Sequence, residues 1–575
     1  MFKLLKYLKN YKKECILAPF FKLTEAVFEL IVPLIVAAVI DNGIAVGNKP
    51  YIFKMCGILG IFAVFGLACA IAAQYFAAKA AVGFSAKVRH AVFSHIGKLS
   101  FSQLDEIGAP TLITRLTGDI NQVQSGVNLT FRLVLRSPIV VFGAVIMAFT
   151  VDVPTALVFA VAVPILAVII FAIMLVSIPL YRKVQQRLDS VLAKTRENLS
   201  GTRVVRAFCK ELEEISDFNE QNRALSNMQI AVGKISAFLN PVTVLIINIA
   251  IIAIIYIGGL RVNIGASTSG EVVAQYNYMS QILVELVKLA NLIITVTKAI
   301  ACGNRIQSVL DIQPNMTSGN ITEGDSNSPY AIEFNNASLS YGGGENAISN
   351  ITLKIKRGQT VGITGATGSG KSSLVNLIPR FYDVTGGNVL VDGVDVKQYD
   401  INALRNKIGV VSQKKTLFKG TVRDNIRFGR PNATDEEIWQ ALVTAQAKQM
   451  ILDKPGQLDF CLEQGGKNLS GGQRQRMTIA RALVRKPQIL ILDDSASALD
   501  YATSAALSFA LKNTDFSPTV ITVSQRVSAL RNADIIAVLD EGECVGIGTN
   551  EELLKTCEVY KEIYASQLES EAARV

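Results

Sequence analysis

At 575 residues, half of them hydrophobic and with a mean hydropathy of +0.35, the chain is too long for one domain and too apolar for a soluble enzyme. Its net charge of +10 does not single out nucleic acid as a partner. Membrane proteins gather Lys and Arg in cytoplasmic loops, and no basic patch here is interleaved with aromatics. The eight cysteines lack CxxC spacing and read as reduced packing residues, with no metal site among them.

The N-terminal run MFKLLKYLKNYKK places Lys3, Lys6, Lys9 and Lys13 near one helical face and Leu4, Leu5, Leu8 and Tyr11 on the other, as expected of a helix on the cytoplasmic membrane surface. It lacks the small-residue cleavage pattern of a signal peptide. Apolar segments follow at Cys15–Ile40, Tyr51–Ala78, Val134–Thr150, Val153–Leu180, Phe238–Leu260 and Val272–Ala299. Each is near or above the ~20 residues that a membrane crossing needs. Six crossings return the chain to its starting side.

Short loops follow the first, third and fifth segments, at Asp41–Pro50, Val151–Asp152 and Arg261–Glu271. Long charged stretches follow the second and fourth, and these hold Lys87, Arg89, Lys98 and Arg115, then Arg182, Lys183, Arg187, Lys194, Arg196, Arg203 and Arg206. The positive-inside rule therefore predicts a multi-pass protein of the cell inner or plasma membrane, with both termini and the soluble part cytoplasmic. Glu25 and Glu29 lie four apart on one face of the first segment, and membrane-embedded carboxylates are candidates for contact with cargo. The alternative is that they pair with Lys or Arg, or sit at the interface. Gln275, Asn277, Gln281 and Glu285 give the sixth segment a polar side, where Glu285 and Lys288 also read as a simple i,i+3 pair.

A polar stretch, 313–329, has the composition of a domain boundary. The predicted fold is thus an all-α six-helix transmembrane domain, 1–312, followed by a linker and an α/β P-loop nucleotide-binding domain, 330–575. In the latter, Gly365-Ala366-Thr367-Gly368-Ser369-Gly370-Lys371-Ser372 follows an apolar strand, Thr360 to Thr364, and precedes a helical run, Ser373 to Leu377. That is a complete phosphate loop. Its glycines let backbone N–H groups face phosphate oxygens, Lys371 neutralises the terminal phosphates, and the Ser372 hydroxyl reaches Mg2+. Ile489 to Leu492 read as a strand buried on both faces, with Asp493 at its carboxyl end placed as a Mg2+ ligand. The cofactors implied are ATP and Mg2+.

The order of phosphate loop, Gln413, Leu469-Ser470-Gly471-Gly472-Gln473, ILILDD and SALD resembles the ATP-binding cassette family across the whole C-terminal part. The membrane half resembles the type I exporter fold, in which two short transverse coupling helices meet the nucleotide domains. The resemblance puts those near Gly108–Leu116 and Thr202–Glu213. It also makes Tyr341 an adenine-stacking ring, adds Ser373 to the nucleotide-binding residues, and has Gln413 touch Mg2+. In such proteins two nucleotide domains dock head to tail, so that Ser470, Gly471, Gly472 and Gln473 act in trans on ATP held by a partner. The dipole and free N–H groups of the helix expected over Arg474–Val484 suit that role.

Two departures stand out. Asp494 occupies the place of the Glu that polarises attacking water, and Gln525 occupies the place of the switch His. The only histidines, His90 and His95, lie in the membrane half. Asp is one methylene short, and Gln carries neither a proton nor a charge. The combination resembles the degenerate-site half of a heterodimeric bacterial multidrug exporter. The partner implied is a second half-transporter with Glu and His in place; membrane lipid is a further partner, and Glu25 and Glu29 suggest an amphipathic, cationic small-molecule cargo in an apolar cavity. Two alternatives stand beside this: a lipid or peptide exporter, and an ATP-gated regulatory or channel-like membrane protein.

Overall fold

A computed structural model describes residues 1–325, 327–495 and 499–572. Ala496, and Ser497 and Ala498 of the SALD motif, fall outside that range. The chain forms two compact units, Met1–Gly97 with Pro110–Ile312, and Lys98–Ala109 with Gln313–Val575.

The first unit is all helix. Six stretches are long and apolar enough to cross a membrane: Lys3–Ile44, Lys49–Ile96, Ala109–Val151, Val153–Ser200, Glu211–Asn263 and Ser269–Leu310. Each contains one segment expected from the sequence. The second and fourth, at 48 residues each, run far past the bilayer. At 1.5 Å per residue such a helix is about 72 Å long, against about 30 Å of hydrocarbon. The helices touch through small residues. Ala73, Ala77, Ala80 and Ala81 are buried along the second, and a Cβ at Gly126 would run into Ala299 of the last.

The short loops are closed by polar caps. Asp152 caps the fourth span through the Thr155 N–H at 3.2 Å and pairs with Arg261 at 3.0 Å. Thr268 and Glu271 form a capping box on the sixth, where Asp41 also accepts from the Gly270 N–H at 2.8 Å. The N-terminal helix, Phe2–Tyr11, does more than present an apolar face outward. Leu4 is fully buried in a cluster with Phe84, Val88, Val92 and Ile306.

The third span breaks at Val134–Leu135, between helices Ile120–Leu133 and Arg136–Val151. Pro138 explains the break, because it has no N–H to give the Val134 carbonyl and its ring crowds that turn. The break puts Arg136, only 5% exposed, among acids from two other spans. Its guanidinium donates to Glu29 at 2.6 Å and to Glu285. Glu285, 2% exposed, also accepts from Ser137 at 2.9 Å and from Lys288 at 2.9 Å. Glu285 and Lys288 are therefore more than an i,i+3 pair. Glu25 is likewise taken, by Lys22 at 2.6 Å. The carboxylates expected to attract cationic cargo are thus neutralised within the chain. Removing one member of such a buried set leaves its partner uncompensated, at a cost of about 3–5 kcal/mol. Arg136→Met, which strips Glu29 and Glu285 of their shared guanidinium, is expected to lower the thermal stability of the detergent-solubilised protein sharply, and Arg136→Met with Glu29→Gln and Glu285→Gln to recover most of it. A single variant as stable as the parent contradicts this.

Among the described residues the second unit holds three sheets. A four-stranded antiparallel sheet has the order Asn346–Lys356, Tyr330–Ser340, Gly386–Val391, Val394–Asp395. A six-stranded sheet has the order Glu543–Gly548, Ile535–Asp540, Thr360–Gly365, Thr519–Val523, Ile489–Asp493, Ile408–Val411. All its neighbours run parallel except the first pair. Gly420–Thr421 and Cys461–Leu462 make a third, two-stranded sheet. Phe334, Ile363, Leu374 and Val389 belong to the core shared by the two larger sheets and the helix after the phosphate loop. The polar stretch after Ile312 is laid against this unit, with the Gly319 N–H donating to the Tyr399 carbonyl at 2.8 Å.

A short helix, Ala109–Thr114, lies within the range expected for the first coupling helix and opens the third span. Another, Phe101–Ile107, precedes it, started by a Ser100–Gln103 capping box and ended by Gly108 at φ 79°. A third, Thr202–Ala207, lies within the range expected for the second coupling helix.

Candidate functional site

Strand Thr360–Gly365 ends in the phosphate loop, and Gly365 is required there. At φ 147° it passes so close to Leu539 that a Cβ would meet the carbonyl oxygen. Gly370, at φ 89°, then turns the chain into the helix Lys371–Leu377. Lys371 is 8% exposed and folds over its own loop, donating to the carbonyls of Gly365 at 3.0 Å and Ala366 at 2.5 Å and to Ser369 Oγ at 3.2 Å. Burial pushes its ammonium below the ordinary lysine range, while the Asp493 and Asp494 charges oppose that shift. Phosphate oxygens would complete what these acceptors begin.

Asp493 ends the fully buried strand Ile489–Asp493 and accepts from the Ser372 hydroxyl at 3.0 Å. Burial pushes its carboxyl above the usual carboxylate range, with the Ser372 hydrogen bond opposing and the Asp494 charge adding. A hydroxyl and a charge-starved carboxylate converging at the loop are the oxygen donors a divalent cation takes, so the residues present fit Mg2+.

Asp494 follows in the left-handed region, at φ 48°, with its N–H bound to the Val523 carbonyl at 3.0 Å. That conformation is uncommon outside glycine, and Asp is among the residues that tolerate it. It turns the carboxylate out beside Gln413, whose Nε2 donates to Asp494 Oδ2 at 3.4 Å. Gln525, just past the neighbouring strand, donates to Thr367 Oγ1 at 3.4 Å. These groups line a single cleft of about 240 Å³ together with Gly368, Gly370, Lys371, Ser372 and Ser373.

Tyr341 stands at the edge of this site, 43% exposed, its hydroxyl donating to Ser373 Oγ at 3.0 Å. Its ring meets Tyr382 edge-on, centroids 5.1 Å apart. Tyr382 in turn donates to Asp105 of the short helix Phe101–Ile107 at 2.6 Å, and burial with that carboxylate beside it raises the phenol above its usual range. The sequence marks neither Tyr382 nor Asp105, because an aromatic after a helix carries no motif.

Ser470, Gly471, Gly472 and Gln473 do not line the cleft. They start another helix, Gly471–Leu483. Ser470 Oγ accepts from the Gln473 N–H at 3.3 Å while Gln473 Oε1 accepts from the Ser470 N–H at 3.0 Å. This capping box holds the first turn of a 13-residue helix open, and a Cβ built at Gly471 meets nothing within 4 Å. The first-turn N–H groups there carry the positive end of the helix dipole.

A six-helix membrane unit and a P-loop unit carrying both loop and signature on one chain define an ATP-driven transporter subunit. Family models agree: residues 15–286 match the ABC transporter transmembrane region and 348–497 the ABC transporter domain. The chain belongs to the ABC transporter family and has the layout of an exporter half-transporter. An uncharacterized ABC transporter ATP-binding protein of Mycobacterium tuberculosis is 37% identical over 577 residues, covering 98% of this chain and 97% of that one. An ATP-dependent lipid A-core flippase of Desulfotalea psychrophila is 34% identical over 478 residues, 83% of each. The structure of a bacterial Atm1-family ABC exporter with ATP bound matches with a TM-score of 0.80 over 97% of this chain and 98% of that one. At 21% identity it speaks for the fold alone.

Proposed function

We propose that this chain is the slow-site half of a heterodimeric ABC exporter. ATP bound at its own Lys371 loop is held and little hydrolysed, and its signature at Ser470–Gln473 completes the active site of a partner half-transporter. The observation that carries this is the pairing of Asp494 with Gln525 in one cleft, in a chain whose two histidines both belong to the membrane half.

A base must lie within about 2.6–3.2 Å of the proton it takes, and a shortfall near 1 Å costs roughly a hundredfold. Asp494 is one methylene short of the residue usual there, and its hydrogen bond with Gln413 is already long at 3.4 Å. Gln525 hydrogen-bonds a phosphate without lending charge. The intact parts bind: the loop N–H groups and Lys371 hold the phosphates, Tyr341 offers an aromatic face for adenine, and Ser372, Gln413 and Asp493 hold Mg2+. Bound there, Mg2+ would supply charge neutralisation to the phosphates. The Lys and Arg of the two long loops put the nucleotide domain and both termini in the cytoplasm.

The cargo is an amphipathic small molecule or lipid. Similarity to a lipid A-core flippase favours a lipid-like body, and the ion pairs Glu25–Lys22 and Glu29–Arg136 leave no surplus negative charge to select a cation. ATP-dependent accumulation in inside-out vesicles separates a pump from an ATP-gated regulator. The decisive test is ATPase activity of the purified chain alone against the chain with its partner. The isolated chain is expected to turn over about a hundredfold more slowly, and brisk hydrolysis by it overturns the assignment.

A further inference from the structure

The loop that carries Gln525 is held from outside the cleft. The C-terminal helix Glu558–Ala572 presents Gln567 to it, and one side-chain amide makes both contacts. Gln567 Oε1 accepts from the Val527 N–H at 2.9 Å, and Nε2 donates to the Gln525 carbonyl at 2.6 Å. Within the loop, Ser524 Oγ accepts from the Arg526 N–H at 3.0 Å, and the Ser524 N–H is tied to the Ile363 carbonyl at 3.0 Å. The segment between these ties is the one whose side chain reaches Thr367 of the phosphate loop. The helix itself is firmly seated. Tyr560 is fully buried against Val527, Leu530 and Leu553, and its hydroxyl donates to Asn550 at 2.8 Å.

Only a carboxamide offers a donor and an acceptor side by side in the arrangement that one N–H and one C=O of a peptide loop require. Tyr560 and its neighbours already dock the helix, so the bonds from Gln567 to Gln525 and Val527 add to the hold on the loop.

We infer that Gln567 is a positioning residue for this chain's nucleotide site: by clamping the main chain at Gln525 and Val527 it fixes the reach of the Gln525 amide to the terminal phosphate, and so sets how long ATP is retained. The inference rests on the slow-site reading, because retention is the property it governs.

The test uses the full complex with its partner, the partner's own base replaced by Gln to silence the fast site, and radiolabelled ATP as the probe. Gln567→Glu keeps the acceptor for Val527 but sets an oxygen against the Gln525 carbonyl. It is expected to speed release of ATP about tenfold. In a Gln525→Ala background the same change is expected to add nothing, since neighbours acting through one group are not additive. A merely structural role would speed release equally in both backgrounds, and that outcome, or unchanged release in the parent background, overturns the inference. Should Gln567→Glu lose the fold, the equally long and uncharged Gln567→Met takes its place with the same two expectations. If the unaltered complex already discards this ATP at each turnover, the slow-site reading fails. The Gln567–Gln525 coupling is then read in kcat by the same cycle, and additivity there overturns it too.

Discussion

Gly471→Asp is expected to stop ATP turnover by the paired complex while leaving ATP bound at Lys371 in place. The position is open, with nothing within 4 Å of a built Cβ, so the side chain does not disturb the fold. It also follows Ser470 at the start of the helix Gly471–Leu483, where a carboxylate favours helix formation. Stability should therefore hold or rise slightly. What changes is the face offered to the partner's nucleotide. A carboxylate about 4 Å from a phosphate at an effective dielectric near 20 is repelled by about 4 kcal/mol, or about a thousandfold in occupancy. Steady-state ATPase and thermal unfolding measured on one preparation check both halves of the expectation. Persistent turnover shows that this helix start never meets a nucleotide.

Asp494→Glu together with Gln525→His is expected to raise ATP hydrolysis by the isolated chain about a hundredfold. Two copies of the altered chain bring an intact signature to each other's cleft, so no partner is needed. The added methylene extends the carboxylate from a backbone already turned left-handed at φ 48°, beside Gln413 at 3.4 Å. The imidazole restores a group that carries charge near neutral pH. Either change alone should recover only part of the rate, because base and sensor act on the same phosphate. If the double variant stays as slow as the parent, the lost activity does not reside in these two residues.

Much of this was legible in the chain. Apolar runs located all six spans, and the strands before the phosphate loop and ending at Asp493 match their expected bounds to within a residue, while the signature helix starts three residues ahead of the Arg474 expected. Those features are local in sequence, so composition and spacing expose them. The short helix Phe101–Ile107 is legible in the same way, because Ser100, Gln103 and Gly108 spell its start and stop. The set of Arg136 with Glu29 and Glu285, and the hold of Gln567 on the Gln525 loop, join residues far apart in the chain. No periodicity records a side chain that crosses to another element. The left-handed backbone of Asp494 is equally silent, being imposed by the strand whose Val523 carbonyl it meets.

The long second and fourth helices make the membrane unit a set of rods more than twice as long as the layer they cross. With a pivot near one end, each degree of tilt sweeps the far tip through about 1 Å. A shift of a few ångströms at the foot therefore becomes a rotation of only a few degrees, small enough for rods to share without unpacking. The first, third and sixth, bound together through Arg136, would turn as one block, and the chemical stroke needed to swing them can be correspondingly modest.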